Sequence, residues 1–327
     1  MPRLNYHWSV IGQENSLFII DKAIKNKTLA HAYLFCGPSG LGKTKSGFNF
    51  AQILQCLNEK YKPCQKCINC RNIIKNQNPD FYVINKPSLI SIQDIRDLKG
   101  NLITKPYNSQ YKIVLIIDAQ KMNKEAQNAF LKILEEPPAD TIIILTTENK
   151  KQLLPTIISR CQIINFKIVP SELIKKELIK RGIEKQKIEE VVRLSMGRPE
   201  LAFSFLDNPE LLSLRRDFIS KFIDLKKAPI IEKFKYAEEL SKEEMIKNNF
   251  YLEILISWFR DLILIKINKQ QKIININYLK FLKKQCANYD LDDLKSILNQ
   301  LVEIKSYSKK NYNNWRLLWE NIWLIID

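Results

Sequence analysis

At 327 residues and 45% hydrophobic composition, the chain is long enough for two or three domains with cores of their own. That apolar content excludes a mostly disordered chain. Its most apolar tract, 250–267, is broken by Glu253, Arg260, Asp261 and Lys266, which excludes a membrane span. The 52 Lys and Arg outnumber the 35 Asp and Glu, a net charge of +17 that favours an anionic partner, nucleic acid first. A chain-wide richness in Lys, Ile and Asn is the competing explanation of the same charge. Residues 1–8 run into polar residues with no apolar core, so no secretory signal is expected and the chain reads as cytosolic.

The first predicted element is a short buried strand at 33–36, followed by a Gly-rich turn and a helix to about residue 57. Further strands are expected at 81–84, 112–117, 141–145 and 162–166, with helices between them, chiefly 92–103 and 123–134. Strands alternating with helices predict a mostly parallel sheet covered on both faces. After 166 the strand signals stop. Ser171, behind Pro170, opens a helix, two more helical segments follow to about 206, and Asn208-Pro209 marks a break. From there to 327 the pattern is amphipathic helix. Trp315, Trp319 and Trp323 share one helical face, which reads as bundle core rather than a ligand box.

Gly37-Pro38-Ser39-Gly40-Leu41-Gly42-Lys43-Thr44 matches the phosphate-binding loop pattern, placed after a strand and before a helix. Glycines let the backbone wrap phosphates, and the following helix N-terminus adds partial positive charge. Lys43 is expected to reach the β- and γ-phosphates, and Thr44 to offer its hydroxyl to Mg²⁺. The run of Ile, Val and Leu at 112–117 ends at Asp118, which reads as the acidic residue that holds Mg²⁺ through water. The next residue is Ala119, where hydrolytic relatives of such sites carry a Glu base. Gln120 can orient a water but cannot take its proton. Nucleotide binding is expected, and efficient hydrolysis is not.

Four of the seven cysteines, Cys56, Cys64, Cys67 and Cys70, fall within fifteen residues, while Cys36, Cys161 and Cys286 stand apart. Short paired spacings let a chain fold around one tetrahedral zinc, and four ligands leave no open position, so a structural zinc is predicted. A redox pair would more naturally be an isolated C-x-x-C. Cysteines buried without metal are disfavoured by the polar Lys62, Gln65, Lys66 and Asn69 around them.

Together these motifs resemble the clamp-loader subunits of bacterial DNA polymerase III, a branch of the AAA+ ATPases. The resemblance is carried by Val10-Ile11-Gly12-Gln13-Glu14, His31-Ala32-Tyr33-Leu34-Phe35, the phosphate loop and the four-cysteine module. Downstream it continues through the stretch from Asn128 to Pro138 and through Ser159-Arg160-Cys161, in the family's order over about 10–165. It implies an α/β AAA+ P-loop domain over 1–167 with the zinc module at 56–70, a helical lid over 168–208, and an all-α collar for oligomerisation over 209–327. It implies ATP, Mg²⁺ and Zn²⁺ as cofactors. The implied partners are other clamp-loader subunits in a hetero-oligomer, a pentamer, together with the sliding clamp and primed DNA bound without sequence preference. A cytoplasmic place in the DNA polymerase holoenzyme follows, with no membrane.

The resemblance also assigns roles by position. Ser159-Arg160-Cys161 matches the motif whose arginine projects into a neighbouring subunit's nucleotide, so Arg160 is the expected finger in trans. Thr147 falls where a polar sensor meets the γ-phosphate, and Arg198, in Gly197-Arg198-Pro199, matches the lid's second sensor. Gly37 to Thr44 and Asp118 complete the expected nucleotide set. Within the family, Ala119 and an end at Asp327 favour the delta-prime type, while the intact phosphate loop pulls toward the ATP-hydrolysing gamma/tau motor. A third reading, a non-polymerase AAA+ protein acting on DNA, fits the zinc module and the Ser-Arg-Cys motif poorly.

Overall fold

A computed structural model describes residues 3–308 and 314–326, so Met1, Pro2 and Asp327, at the ends of the predicted domains, lie outside the described residues. The chain separates into two compact units, 1–202 and 203–327.

The first unit runs α1 (Glu14–Lys25), β1 (Ala32–Cys36), α2 (Lys43–Gln55), α3 (Ile68–Ile74), β2 (Phe81–Ile84), α4 (Ile92–Leu102) and β3 (Lys112–Ile116). It continues with α5 (Lys124–Glu135), β4 (Thr141–Thr147), α6 (Pro155–Ser159), β5 (Gln162–Asn165), α7 (Ser171–Lys180) and α8 (Lys185–Ser195). The division between the units falls within α9 (Pro199–Asp207). All five strands are parallel, in the order β2-β3-β4-β1-β5.

Side chains on a strand alternate between faces, and here both faces are apolar. Ala32, Leu34, Val114, Ile116, Ile143 and Leu145 pack with Ile95, Leu98, Phe130 and Ile133 of α4 and α5. Tyr33, Phe35, Ile113, Leu115, Ile142 and Ile144 pack with Leu17, Ile20, Phe50 and Ile73 of α1, α2 and α3. A sheet buried on both sides needs continuous apolar strands, which is why β3 and β4 read as Ile-rich runs rather than as alternating patterns. Two buried polar groups fix the loop between α4 and β3. Lys112 Nζ donates to Asn101 O and Thr104 Oγ1, both at 2.7 Å. Asp80 accepts from Tyr107 N, Asn108 N and Ser109 Oγ. Burial alone would raise the Asp80 carboxyl, but these donors outweigh it and hold the group below the usual carboxylate range.

The second unit is helical among its described residues. It comprises α10 (Glu210–Leu225), α11 (Ile230–Ser241), α12 (Met245–Lys266), α13 (Leu279–Cys286), α14 (Leu291–Ser308) and α15 (Trp315–Ile326). Trp315, Trp319 and Trp323 are buried in one core with Phe218, Phe222 and Trp258, as the stripe predicts. The indole N–H groups of Trp319 and Trp258 donate to Asn248 and Gln285, so these rings are buried with their polar atoms satisfied. Among the described residues no helix is long and apolar enough to cross a membrane.

Candidate nucleotide and metal sites

In a parallel sheet every strand delivers its carboxyl end to the same edge, the usual position of ligand crevices in such folds. Cys36 of β1 lies in register with Thr147 of β4, so the loop after β1 begins beside the end of β4. The Gly37 N–H donates to Thr147 O at 3.1 Å. A side chain at Gly37 would put its Cβ 2.4 Å from Phe166 O, so the loop can pass this point only as glycine. Gly42, at φ 89°, turns the chain into α2 in the left-handed region that other residues rarely adopt. The turn presents the first-turn N–H groups of α2, an anion-binding arrangement.

Lys43 is buried, and its ammonium donates to Gly37 O and Pro38 O, both at 2.6 Å. Burial lowers its pKa, and the carboxylates of Glu148, Asp118 and Glu200 oppose that shift. A cation under the opposing pull of burial and of three carboxylates, folded over a glycine loop, is suited to exchange carbonyl partners for phosphate oxygens. Thr44 follows it in the first turn of α2.

Asp118 lies just past β3 at the same edge, with φ 55°. Its N–H donates to Thr146 Oγ1 at 2.9 Å, and its carboxylate pairs with Lys121 at 3.2 Å. Ala119 is fully buried in the core under α5, and the Gln120 Oε1 atom is buried with no hydrogen-bond partner among the described residues. Thr147 is buried, and its hydroxyl accepts from Asn149 N at 3.3 Å. Arg198 also comes to the loop: its Cβ lies 3.2 Å from where a Gly40 Cβ would stand, and Glu200 N donates to Gly40 O at 3.1 Å.

Two residues at this edge were missed from sequence. Thr146, rather than Thr147, touches the backbone of Asp118, and Glu148 is the acid that most opposes the lowering of Lys43 by burial. The expected strand stopped at 145, but two β-branched threonines extend β4 to Thr147, and that continuation was the available signal.

Arg160 stands elsewhere. Gln162 of β5 pairs with Tyr33 near the start of β1, so Arg160 lies at the amino edge of the sheet. It is about one strand length, roughly 15 Å, from this chain's own phosphate loop. There it caps α6, with NH1 donating to Thr156 O at 3.2 Å and NH2 paired with Glu135 Oε1 at 2.9 Å.

The four cysteine sulfurs of 56–70 all lie within 4.8 Å of one another. Tetrahedral zinc with Zn–S near 2.3 Å sets sulfurs about 3.8 Å apart, so the group closes on one ion with small side-chain adjustments. Backbone amides already point at the sulfurs. Cys64 N, Cys67 N and Cys70 N donate to the sulfurs of Cys56, Cys64 and Cys67 at 3.3–3.4 Å, and the last of these caps α3. Amides of Cys67 and Lys66 draw the Cys64 thiol down to about 6, while burial pushes the Cys56 and Cys70 thiols up. The module is fastened to α2, where Gln52 Nε2 donates to Cys70 O at 3.0 Å and Asn69 Nδ2 to Gln55 O at 2.9 Å.

A family model described as DNA polymerase III, delta subunit, matches residues 12–170, and one described as DNA polymerase III, delta subunit, C terminal, matches 209–326. The DNA polymerase III subunit delta' of Bacillus subtilis is 28% identical over 316 residues, 92% of each chain. The tau subunit of the same organism is 36% identical over 164 residues, which are 50% of this chain and 29% of that one. A solved gamma subunit-related protein of Thermotoga maritima aligns with TM-score 0.43 and 19% identity over 95% of this chain and 98% of its own. The chain belongs to the clamp-loader subunits of bacterial DNA polymerase III, within the AAA+ ATPases, and its likeness over nearly the whole length is to the delta-prime subunit.

Proposed function

We propose that this chain works as the delta-prime-like member of a hetero-oligomeric clamp loader, a pentamer in the cytoplasm that opens the sliding clamp and sets it on primed DNA. In this reading the three functional parts are 1–167 for nucleotide and zinc, 168–208 as lid, and 209–327 as collar. Gly37 to Thr44 wrap the phosphates of ATP, Asp118 and Thr44 hold Mg²⁺, and Thr147 and Arg198 sense the γ-phosphate from strand and lid. Zinc on the four thiolates cross-links the 56–70 segment. Basic charge spread over the chain attracts the DNA backbone without reading its sequence.

The observation that carries the proposal is the placement of Arg160. A side chain a strand length from its own phosphate loop is out of reach of its own nucleotide, which fits a role toward a neighbour's. An arginine finger given in trans stabilises charge on the transferred phosphoryl group. At the position after Asp118, where hydrolytic relatives carry a Glu base, this chain has Ala119 buried in the core, and neither Gln120 nor Thr146 can take a proton from water.

Steady-state ATP turnover by the isolated chain tests this reading against the gamma/tau motor, which the intact phosphate loop would otherwise favour. Turnover near background is expected. A rate of ~1 s⁻¹ or more, ordinary for an enzyme, would make the chain a motor subunit. Restoring the missing acid as Ala119→Glu is not a usable control, because position 119 is 0% exposed and a carboxylate there would be buried.

A further inference from the structure

We infer that Glu135 is the positioning residue of the Arg160 finger, holding the guanidinium at the joint between α5 and α6 so that its free N–H groups face a neighbouring subunit's nucleotide. The inference rests on the trans role of Arg160 proposed above. Glu135 stands where local rules disfavour an acid. Glu135 is the last residue of α5, Glu136 follows as its cap, and Pro137-Pro138 ends the helix. The carboxyl end of a helix carries partial negative charge and is stabilised by Lys or Arg, so two acids there oppose the dipole. A local rule broken without local gain is a common mark of a functional position.

The compensating charge comes from Arg160, at the end of α6, a helix in contact with α5. Glu135 Oε1 lies 2.9 Å from NH2, and NH1 donates to Thr156 O, a carbonyl in the last turn of α6. The guanidinium is thus fixed at two points. Of its five N–H donors, one is in a hydrogen bond within the chain among the described residues. NH2 is engaged with Glu135, and the remaining donors are available to a ligand. Side-chain exposures of 37% for Arg160 and 49% for Glu135 leave the pair open to solvent, where an ion pair contributes little to folding. Its effect is therefore on direction. An arginine has several rotatable bonds, and fixing its planar head in one orientation removes most of the entropy a finger would otherwise lose on meeting phosphate.

The test uses the clamp loader reconstituted with its other subunits, with clamp, primed DNA and ATP, carrying wild-type chain, Glu135→Gln, Arg160→Ala or both changes. The stimulated ATPase lost with Arg160→Ala defines the finger-dependent part. Glu135→Gln is expected to remove about half or more of that part, through kcat and with KM for ATP unchanged. The double variant should fall no further than Arg160→Ala alone, and the melting temperature of the Glu135→Gln chain should stay within about 2 °C of wild type. A purely structural role would move the melting temperature and add to the Arg160 loss. Wild-type kcat for Glu135→Gln beside a reduced Arg160→Ala would overturn the positioning role and leave the finger standing. An additive double loss, or failure of Glu135→Gln to enter the complex, would overturn it as well. No effect of Arg160→Ala would instead remove the finger itself.

Discussion

Cys64→Ser should lower the stability of the first unit by about 3–5 kcal/mol, the range reached when a structural metal is lost. For a unit of this size that corresponds to a fall in melting temperature of about 10 °C. The cause is local. Three thiolates left without a fourth partner bind metal weakly, and the segment 56–70 has few apolar groups of its own to hold it. Its anchors to α2 would then be lost, leaving the Gln52 side-chain amide and the Gln55 backbone carbonyl without these partners. Nucleotide affinity should change little, since Gln52 lies nine residues along α2 from Lys43, about 14 Å. Metal analysis of the purified chain should give one zinc per molecule for wild type and much less for the variant. A metal-free wild type whose melting temperature equals that of Cys64→Ser would refute the site.

Lys43→Ala should weaken ATP binding on the order of 10²-fold, as expected when a charge-assisted contact to phosphate is removed from a partly desolvated site. The ammonium already bridges two carbonyls of the loop, so its loss also frees the loop to depart from the curve that directs N–H groups inward. Lys43→Arg should recover only part of the affinity, because the larger planar head does not fit between Gly37 O and Pro38 O as a compact ammonium does. Equilibrium binding of ATP with Mg²⁺, measured by titration calorimetry, gives the comparison. Equal affinity for wild type and Lys43→Ala would show that the loop does not hold phosphate.

The sheet was legible because its strands are apolar on both faces. Runs of Ile, Val and Leu at 112–117 and 141–145 cannot be solvated on either side, and polar or Pro-containing stretches separate them from helices. The phosphate loop and the cysteine cluster were legible for a different reason. Each chemistry demands fixed residue types at fixed spacing, and the fold has only to bring them to one place. α1 and α3 were not foreseen, since α1 mixes Phe18 and Ile19 on its exposed side with Leu17 and Ile20 on its buried side, which blurs the helical period. Thr146 and Glu148 escaped notice because ordinary residues at a strand end acquire a role only through what the neighbouring strand presents to them. The pairing of Glu135 with Arg160 lies twenty-five positions apart in the chain and depends on how α5 and α6 meet, which no local pattern encodes.

In the proposed function this chain completes a clamp loader and lends it an arginine rather than its own hydrolysis. The most direct measurement is loading of the clamp onto primed DNA by the reconstituted subunits, with this chain omitted, present, or present as Arg160→Ala. Loading should be lost on omission, restored by the wild-type chain, and restored by Arg160→Ala only to a rate at least about tenfold lower, a small part of the ~10³-fold or more that such a finger can supply. Loading at the full rate without the chain, or at equal rates with wild type and Arg160→Ala, would contradict it.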